Sequence, residues 1–183
     1  MTKDTIVQFI GFVTRLNLDE FAETWRHYTK LFKTKPGQSK LYEAEGKTGT
    51  KFKFISQHSC HSDDFRFDFI KGRNSEHFPE KTARVILMGG YVPLQVQYEG
   101  KEQRKEVKLI AFLDEHENDL DFYKTLPCHY LNIYQAYYEN CNYSYILEYF
   151  VSVDGATELA AQLKQRHRVE LAIVKECQLK VSV

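Results

Sequence analysis

The chain lacks the cysteine spacings and the long hydrophobic segments that mark disulfide-rich and membrane proteins. None of its four cysteines forms a C-x-x-C pair, the spacing typical of zinc sites and redox motifs. The first residues, MTKDTIVQFIGFV, have neither the basic region nor the apolar length of a signal peptide. No apolar run approaches the roughly 20 residues needed to cross a bilayer. We therefore expect a cytoplasmic protein with reduced thiols and no membrane partner.

The chain also has no excess of charge of either sign. Lys plus Arg and Asp plus Glu each number 25, so the protein has no overall positive field that would attract nucleic acid. A glycine-rich phosphate loop, a serine elbow and a local Cys–His signature are all absent from the sequence. The sequence therefore predicts no nucleic-acid partner, identifies no cofactor and gives no support to nucleophilic catalysis.

The chain does contain enough apolar material for one compact core. Of its 183 residues, 43% are hydrophobic and 14% aromatic. The clearest local signal is a helix start, because Asn17 can cap a helix while Glu20 reaches back to it. Apolar side chains then recur in steps of three and four, which predicts a helix over 18–33. Strands are predicted before it, over 5–16, and after it, over 40–45.

Two aromatic segments indicate a hairpin in the first half. KFKFISQ at 51–57 and FRFDFI at 65–70 alternate ring and charge. Pairing them with their aromatic faces together sets Phe54 against Phe67 and Lys53 against Asp68, around a loop at Cys60 and His61. The charged side chains of this face are then ion-pair partners within a hairpin rather than catalytic groups.

The second half repeats the order of the first. Strands are predicted at 84–98, interrupted near Gly89, at 106–113, and in two tyrosine-rich segments, 129–138 and 143–153, that form a hairpin. Helices are predicted over 114–126 and after Asp154, and the chain closes with a strand from 169. The segments from 106 onwards thus have the order strand, helix, strand, strand, helix, strand, and the first half has the same order with an extra short strand at 40–45 and a short second helix in NSEHFPEKTA at 74–83. We predict an α+β protein of two tandem ferredoxin-like units, 1–92 and 93–183, each an antiparallel sheet with its helices on one side.

The order of elements and the strand–cap–helix segment FVTRLNLDEFAETW resemble the dimeric α/β-barrel superfamily. In that superfamily two ferredoxin-like units, from two chains or one duplicated chain, form a barrel. Its members include cofactor-free monooxygenases, haem-dependent enzymes and stress-response proteins. The resemblance implies a pseudo-dimeric barrel that binds a small molecule, as a cofactor-free or haem-dependent oxidoreductase. The alternative is a non-enzymatic assembly or interaction module, with a broad aromatic face buried between the subunits of a homo-oligomer.

Charged side chains between packed layers must find partners or line a hydrated cavity, because an unpaired buried charge is costly. We therefore predict a small, partly aromatic ligand, bound between sheet and helices by residues that combine ring surface with titratable groups. These residues are Trp25, His27, Arg66, Asp68 and Tyr91.

Two segments rich in potential metal ligands have alternative interpretations. QHSCHSDD gathers His58, Cys60, His61, Asp63 and Asp64, but no second ligand pair accompanies them, which favours a polar hairpin loop over a metal site.

YEAEGK resembles the metal-binding strand of the triphosphate-tunnel enzymes, which implies a metal-dependent triphosphate phosphohydrolase with Glu43 and Glu45 in a polar tunnel. Rows of Arg and Lys on later strands are sparse, and a short charged strand is the alternative.

The tyrosines of the predicted second hairpin also allow more than one interpretation. They can line an aromatic pocket or a subunit interface, or they can pack in a half-buried sheet, which is the commoner arrangement. These residues are Tyr130, Tyr134, Tyr138, Tyr143, Tyr145 and Tyr149.

Overall fold

The computed structural model describes residues 5–29, 39–46, 50–62, 82–97, 106–114, 120–137, 141–166 and 169–177. These residues form eight strands and three helices. The strands are β1 (Thr5–Val13), β2 (Ser39–Ala44), β3 (Phe54–His61), β4 (Arg84–Gln95), β5 (Glu106–Leu113), β6 (Tyr130–Ala136), β7 (Tyr145–Ser152) and β8 (Val169–Glu176). The helices are α1 (Leu18–Thr29), α2 (Leu120–Thr125) and α3 (Val153–Lys164).

The eight strands close into one antiparallel barrel in the order β1-β3-β2-β8-β5-β7-β6-β4. The first four strands run β4-β1-β3-β2, and the last four repeat this order as β8-β5-β7-β6. The two sets join where β2 pairs with β8 and where β4 pairs with β6. The predicted α+β class is confirmed, and the closed barrel separates an inner from an outer face on every strand.

The first helix packs on the outer face of β1 and β3. Asn17 and Glu20 exchange the two predicted hydrogen bonds, at 3.0 and 2.9 Å, which confirms the capping box. The ring of Phe21 stacks on Phe54 with the centroids 4.6 Å apart. The predicted continuation of the helix beyond Thr29 lies outside the described residues. None of the described helices has the length and hydrophobicity of a bilayer-crossing segment.

The other two helices pack against the outer face of the second half. Tyr123 of α2 and Leu159 and Leu163 of α3 are buried in one apolar cluster with β5 and β7. The cap of α3 is Ser152, whose hydroxyl accepts a hydrogen bond from the Gly155 amide at 3.1 Å. The predicted cap, Asp154, is wrong, because Ser152 ends β7 in an extended conformation and already supplies the acceptor.

The first predicted hairpin is wrong, because both edges of β3 are occupied. Phe54 lies opposite Phe12 on one side and Glu43 on the other. The proposed partner strand, 65–70, lies outside the described residues. His58, Cys60 and His61 belong to β3 itself, so the predicted polar loop is also wrong at these positions, and Asp63 and Asp64 lie outside the described residues.

The second predicted hairpin is confirmed. β6 and β7 pair with Tyr130 opposite Phe150 and Tyr134 opposite Ile146. Tyr134 belongs to the cluster inside the barrel, whereas Tyr149 packs outside it under the helices. The predicted tyrosine set is therefore divided between two faces, and Tyr138 lies outside the described residues.

Gly11 makes room for an aromatic ring inside the barrel. A Cβ atom at this position would lie 2.5 Å from the Phe52 ring and 3.0 Å from Leu87 Cβ. We expect Gly11→Ala to lower the free energy of unfolding by about 1–3 kcal/mol, the usual cost of overpacking, as measured by urea denaturation. Gly46→Ala is the control, because a Cβ at Gly46 has no neighbour within 4 Å. Equal stabilities of the two variants would show that the Phe52 ring moves aside freely.

Candidate functional site

The inner face of the barrel carries packed aromatic rings towards one end and a buried group of polar side chains towards the other. At the apolar end the rings of Phe52 and Phe112 lie 4.9 Å apart. Further along, Phe9 makes edge-to-face contacts with Tyr91 at 5.7 Å and Tyr134 at 5.4 Å. The side chains beyond this layer carry charges and hydrogen-bonding groups, and they form the candidate site.

A buried ion pair lies at the centre of the polar end. Lys108 Nζ is 3.2 Å from Glu148 Oε1, and the two side chains are 3% and 2% exposed. The same ammonium group donates to the Tyr42 hydroxyl at 2.7 Å. It also lies 4.2 Å from the centroid of the Tyr42 ring and 5.0 Å from that of Phe150. β5 and β7 are neighbours with Lys108 opposite Phe150, which places Glu148 diagonally across from Lys108.

Neighbouring side chains complete the hydrogen bonding of this pair. Tyr42 donates to Gln57 Oε1 at 3.1 Å, and Glu148 Oε2 accepts from Tyr134 at 2.8 Å and from Asn132 Nδ2 at 3.2 Å. Burial, and then the charge of Glu148, raises the pKa of Tyr134 well above its ordinary value, so its hydroxyl stays protonated. We call these six side chains the buried polar network: Tyr42, Gln57, Lys108, Asn132, Tyr134 and Glu148.

The rim of the barrel lies next to this network. Glu106 is on the same inner face of β5, two residues before Lys108. Glu106 Oε1 lies 2.9 Å from His129 Nδ1; the Glu106 side chain is 6% exposed and that of His129 56%. On β2 and β8, the next two strands of the barrel after β5, Lys40 and Glu176 form a partly exposed pair at 3.7 Å. We define the rim by these four side chains.

A second polar cluster lies outside the barrel, beneath α1. Trp25 Nε1 donates to Ser56 Oγ at 2.8 Å, Ser56 Oγ is 2.6 Å from His58 Nε2, and His58 Nδ1 is 2.8 Å from Ser39 Oγ. Burial lowers the pKa of His58 from 6.5 to about 3, so the imidazole is neutral at physiological pH. A neutral imidazole with both nitrogens engaged ties α1 to the sheet and is a poor proton acceptor.

No family model and no curated protein sequence matches this chain. Its fold does match solved structures. An anthrone oxidase-like protein aligns over 98% of this chain and 96% of its own, with a TM-score of 0.59 and 10% identity. A mutant chlorite dismutase from Candidatus Nitrospira defluvii aligns over 96% and 93%, with a TM-score of 0.58 and 9% identity. The chain has the dimeric α/β-barrel fold.

The closed dimeric α/β barrel separates the residues predicted to bind a ligand. Trp25 is buried on the outer side, and Tyr91 is buried inside the barrel. His27 is exposed on α1, while Arg66 and Asp68 lie outside the described residues. The structure does not bring Trp25 and Tyr91 to one face, and the ligand-binding role of all five residues stays a prediction.

Tyr91 fills the interior of the dimeric α/β barrel next to a glycine. A Cβ at Gly89 would lie 3.1 Å from the Tyr91 hydroxyl and 2.9 Å from Cys141 Sγ, so the missing side chain leaves room for both. The hydroxyl is buried and makes no well-formed hydrogen bond within the described part of the chain. Burial is the main cause that raises its pKa, with smaller effects from Cys141 and Tyr143.

The predicted phosphohydrolase site is wrong. Tyr42 belongs to the cluster inside the barrel and Leu41 to the cluster outside it, so Glu43, two residues after Leu41, is on the outer face of β2. Glu45 follows the end of β2 and is exposed. Neither carboxylate enters the barrel, and the described residues contain no group of three or more His, Cys, Asp or Glu arranged to hold a metal ion.

The buried polar network was not predicted from the sequence. Lys108 is the only charged residue inside the apolar run VKLIAFL, and Glu148 is the only one in YILEYFV. Such isolated charges in buried strands are the signal that could have identified it, because a strand covered on both faces seldom carries an ionised side chain.

Proposed function

We propose that the protein binds a small, planar, partly aromatic molecule inside the barrel, at the end lined by the buried polar network. The observation that carries this proposal is the Lys108–Glu148 pair, with its charged atoms 3.2 Å apart and its side chains almost fully buried. Withdrawing such charges from water costs several kcal/mol per ion. Such a pair offers a ligand fixed polar groups inside an otherwise apolar interior, the combination found in small-molecule sites.

The rings around the network suit a planar ligand. Tyr42 and Phe150 flank the Lys108 ammonium group, and Phe9 lies deeper, against Tyr134. Binding sites of this kind combine aromatic walls with a few fixed polar groups that orient the ligand. Because its pKa is raised, Tyr134 keeps a proton that it can donate, while Glu148 supplies an acceptor.

The proposal includes the duplicated architecture inferred from the sequence. The two sets of four strands share one order, which supports two ferredoxin-like halves, 1–92 and 93–183, arranged as a pseudo-dimer. The boundary between these halves falls within β4 (Arg84–Gln95). Homo-oligomerisation of the chain stays a prediction.

The described histidines do not fit a haem-iron site, and two of them, His27 and His61, are exposed. His58 uses both ring nitrogens for Ser56 and Ser39. His129 has the carboxylate partner common among metal-bound histidines, but its side chain is 56% exposed, whereas a haem ligand lies against the buried face of a large apolar ring. We derive no reaction step through haem, and the proposal is limited to ligand binding.

Anthrone is a suitable first probe, because it is a planar aromatic ketone and one of the matched folds is described as anthrone oxidase-like. We expect anthrone, at about tenfold its Kd, to raise the melting temperature by about 3 °C or more. Tyr134→Phe should reduce this shift by more than half, because it removes a hydroxyl of the network without leaving a charge unpaired. Differential scanning fluorimetry provides the measurement.

The matched control is Tyr149→Phe. It removes a tyrosine hydroxyl outside the barrel, which in the wild-type protein donates to the Tyr123 carbonyl at 3.1 Å. This variant should keep the full shift. The absence of any shift, or an equal loss in both variants, would contradict binding at the network. A Soret band that moves when haem is added to the wild-type protein would show that haem occupies the protein instead.

A further inference from the structure

We propose that the ligand carries a protonated amine that donates a hydrogen bond to Glu106 Oε2 at the rim of the barrel. This inference rests on the proposed function and narrows the class of ligand. Glu106 Oε2 is buried and has no hydrogen-bond partner among the described residues. The other oxygen of the same carboxylate is engaged by His129 at 2.9 Å.

The position of Glu106 connects this free oxygen to the buried polar network. Glu106, Lys108 and Ile110 alternate along β5, and Ile110 belongs to the apolar cluster inside the barrel. The Glu106 side chain therefore leaves β5 on the inner face, next to Lys108 and nearer the start of the strand. A ligand with its ring at the network would bring a substituent on that ring close to Glu106.

The charges at this end favour a cation over an anion. Lys108 is paired with Glu148, and Lys40 with Glu176, so both inward-facing ammonium groups described at this end already have carboxylate partners. Among the described side chains, Glu106 is paired with the exposed imidazole of His129 alone. A buried carboxylate forms its strongest hydrogen bonds with charged donors. A protonated amine satisfies Glu106 Oε2, whereas an anionic group would be repelled.

The aromatic residues near the rim are compatible with a cation. Tyr130 lies opposite Phe150 across β6 and β7, and Phe150 in turn lies opposite Lys108 across β5 and β7. Phe150 already faces one ammonium group at 5.0 Å. Aromatic faces attract cations through their quadrupole, so an aliphatic ammonium group fits this surrounding better than a carboxylate.

Three probes with the same phenol ring test the inference on the full chain: tyramine, 4-ethylphenol and 4-hydroxyphenylacetate. We expect isothermal titration calorimetry at about pH 8, where histidine side chains are ordinarily neutral, to rank tyramine first. Its Kd should be about tenfold lower than that of 4-ethylphenol, reflecting one charge-assisted hydrogen bond. The anionic 4-hydroxyphenylacetate should bind most weakly.

Three variants test whether Glu106, rather than another residue of the site, causes the preference for tyramine over 4-ethylphenol. Glu106→Gln should bring the affinities for tyramine and 4-ethylphenol close together, whereas Glu158→Gln, an exposed change on α3, should keep the tenfold preference. Tyr134→Phe should weaken the binding of both probes and keep their ratio.

Each outcome of the probe series decides the inference. Equal affinity of the wild-type protein for tyramine and 4-ethylphenol would overturn the amine assignment and leave the proposed function standing. A tyramine preference that survives in Glu106→Gln would also overturn it. Failure of all three probes and of anthrone to bind would overturn both proposals. If Glu106→Gln does not fold, the ranking of the three probes on the wild-type protein still decides.

Discussion

The Lys108→Met variant is expected to unfold with a free energy about 3–5 kcal/mol below that of the wild-type protein. The substitution leaves Glu148 as a buried carboxylate whose remaining donors among the described residues are Tyr134 and Asn132. It also removes a donor from the Tyr42 hydroxyl. Loss of one partner of a buried pair costs far more than the pair itself contributes, because the remaining charge is neither solvated nor compensated. Equilibrium denaturation in urea, followed by circular dichroism, measures the difference.

Two further variants test this explanation. Lys40→Met removes a rim pair whose side chains are 28% and 31% exposed, and it should cost less than about 1 kcal/mol because water screens that pair. The double variant Lys108→Met/Glu148→Gln should recover at least half of the loss, since the uncompensated charge is gone and the amide oxygen still accepts from Tyr134. A Lys108→Met protein as stable as Lys40→Met would show that the buried ion pair does not exist in solution.

Acidification from about pH 7 to pH 5 is expected to remove on the order of 2 kcal/mol of stability through His58 alone. Burial lowers the pKa of this imidazole from 6.5 to about 3. The unfolded chain therefore binds a proton at His58 below about pH 6.5, and the folded protein does so only near pH 3. The stability contributed by His58 is fully present above pH 6.5 and is lost as the pH falls towards 3.

The comparison that isolates this effect is the slope of unfolding free energy against pH. His58→Gln should be less stable than the wild-type protein at pH 7, because one amide cannot serve both Ser39 and Ser56. Its stability should nevertheless fall less steeply towards pH 5. His27→Gln, on the exposed side of α1, should follow the wild-type slope. Parallel slopes for the wild-type and His58→Gln proteins would mean that His58 is already protonated or solvated in the native state.

The elements that could be predicted from the sequence are those held by short-range interactions. The capping box of Asn17 and Glu20 spans three residues, and the structure shows both of its hydrogen bonds. The strand EVKLIAFL coincides with β5. The β6–β7 hairpin joins neighbours in the chain, so alternation within each strand was enough to predict the pairing.

The failed hairpin shows where such local information ends. Alternation in KFKFISQ predicts a strand with one apolar face, but it does not say which strand lies beside it. In the barrel, β1 and β2 occupy both edges of β3, so Phe54 meets Phe12 and Glu43. The nearest segment with matching alternation was therefore the wrong partner.

The candidate site depends on contacts that no local pattern contains. Lys108 and Glu148 are 40 residues apart, and Tyr42 lies 66 residues from Lys108. They meet because closure of the barrel places β7 beside β5 and directs Tyr42 of β2 towards the same interior. The signals within each strand show only that one charge is surrounded by apolar residues.

The sequence by itself determined the α+β class, the capping box of α1 and the alternation of faces along individual strands, because these follow from hydrogen bonds and burial over a few residues. The tertiary structure alone decided which strands are neighbours, which residues face inward, and that a lysine, a glutamate and two tyrosines form one buried network. The physical reason is barrel closure, since each strand gains its partners, and each inner side chain its surroundings, only when all eight strands are paired.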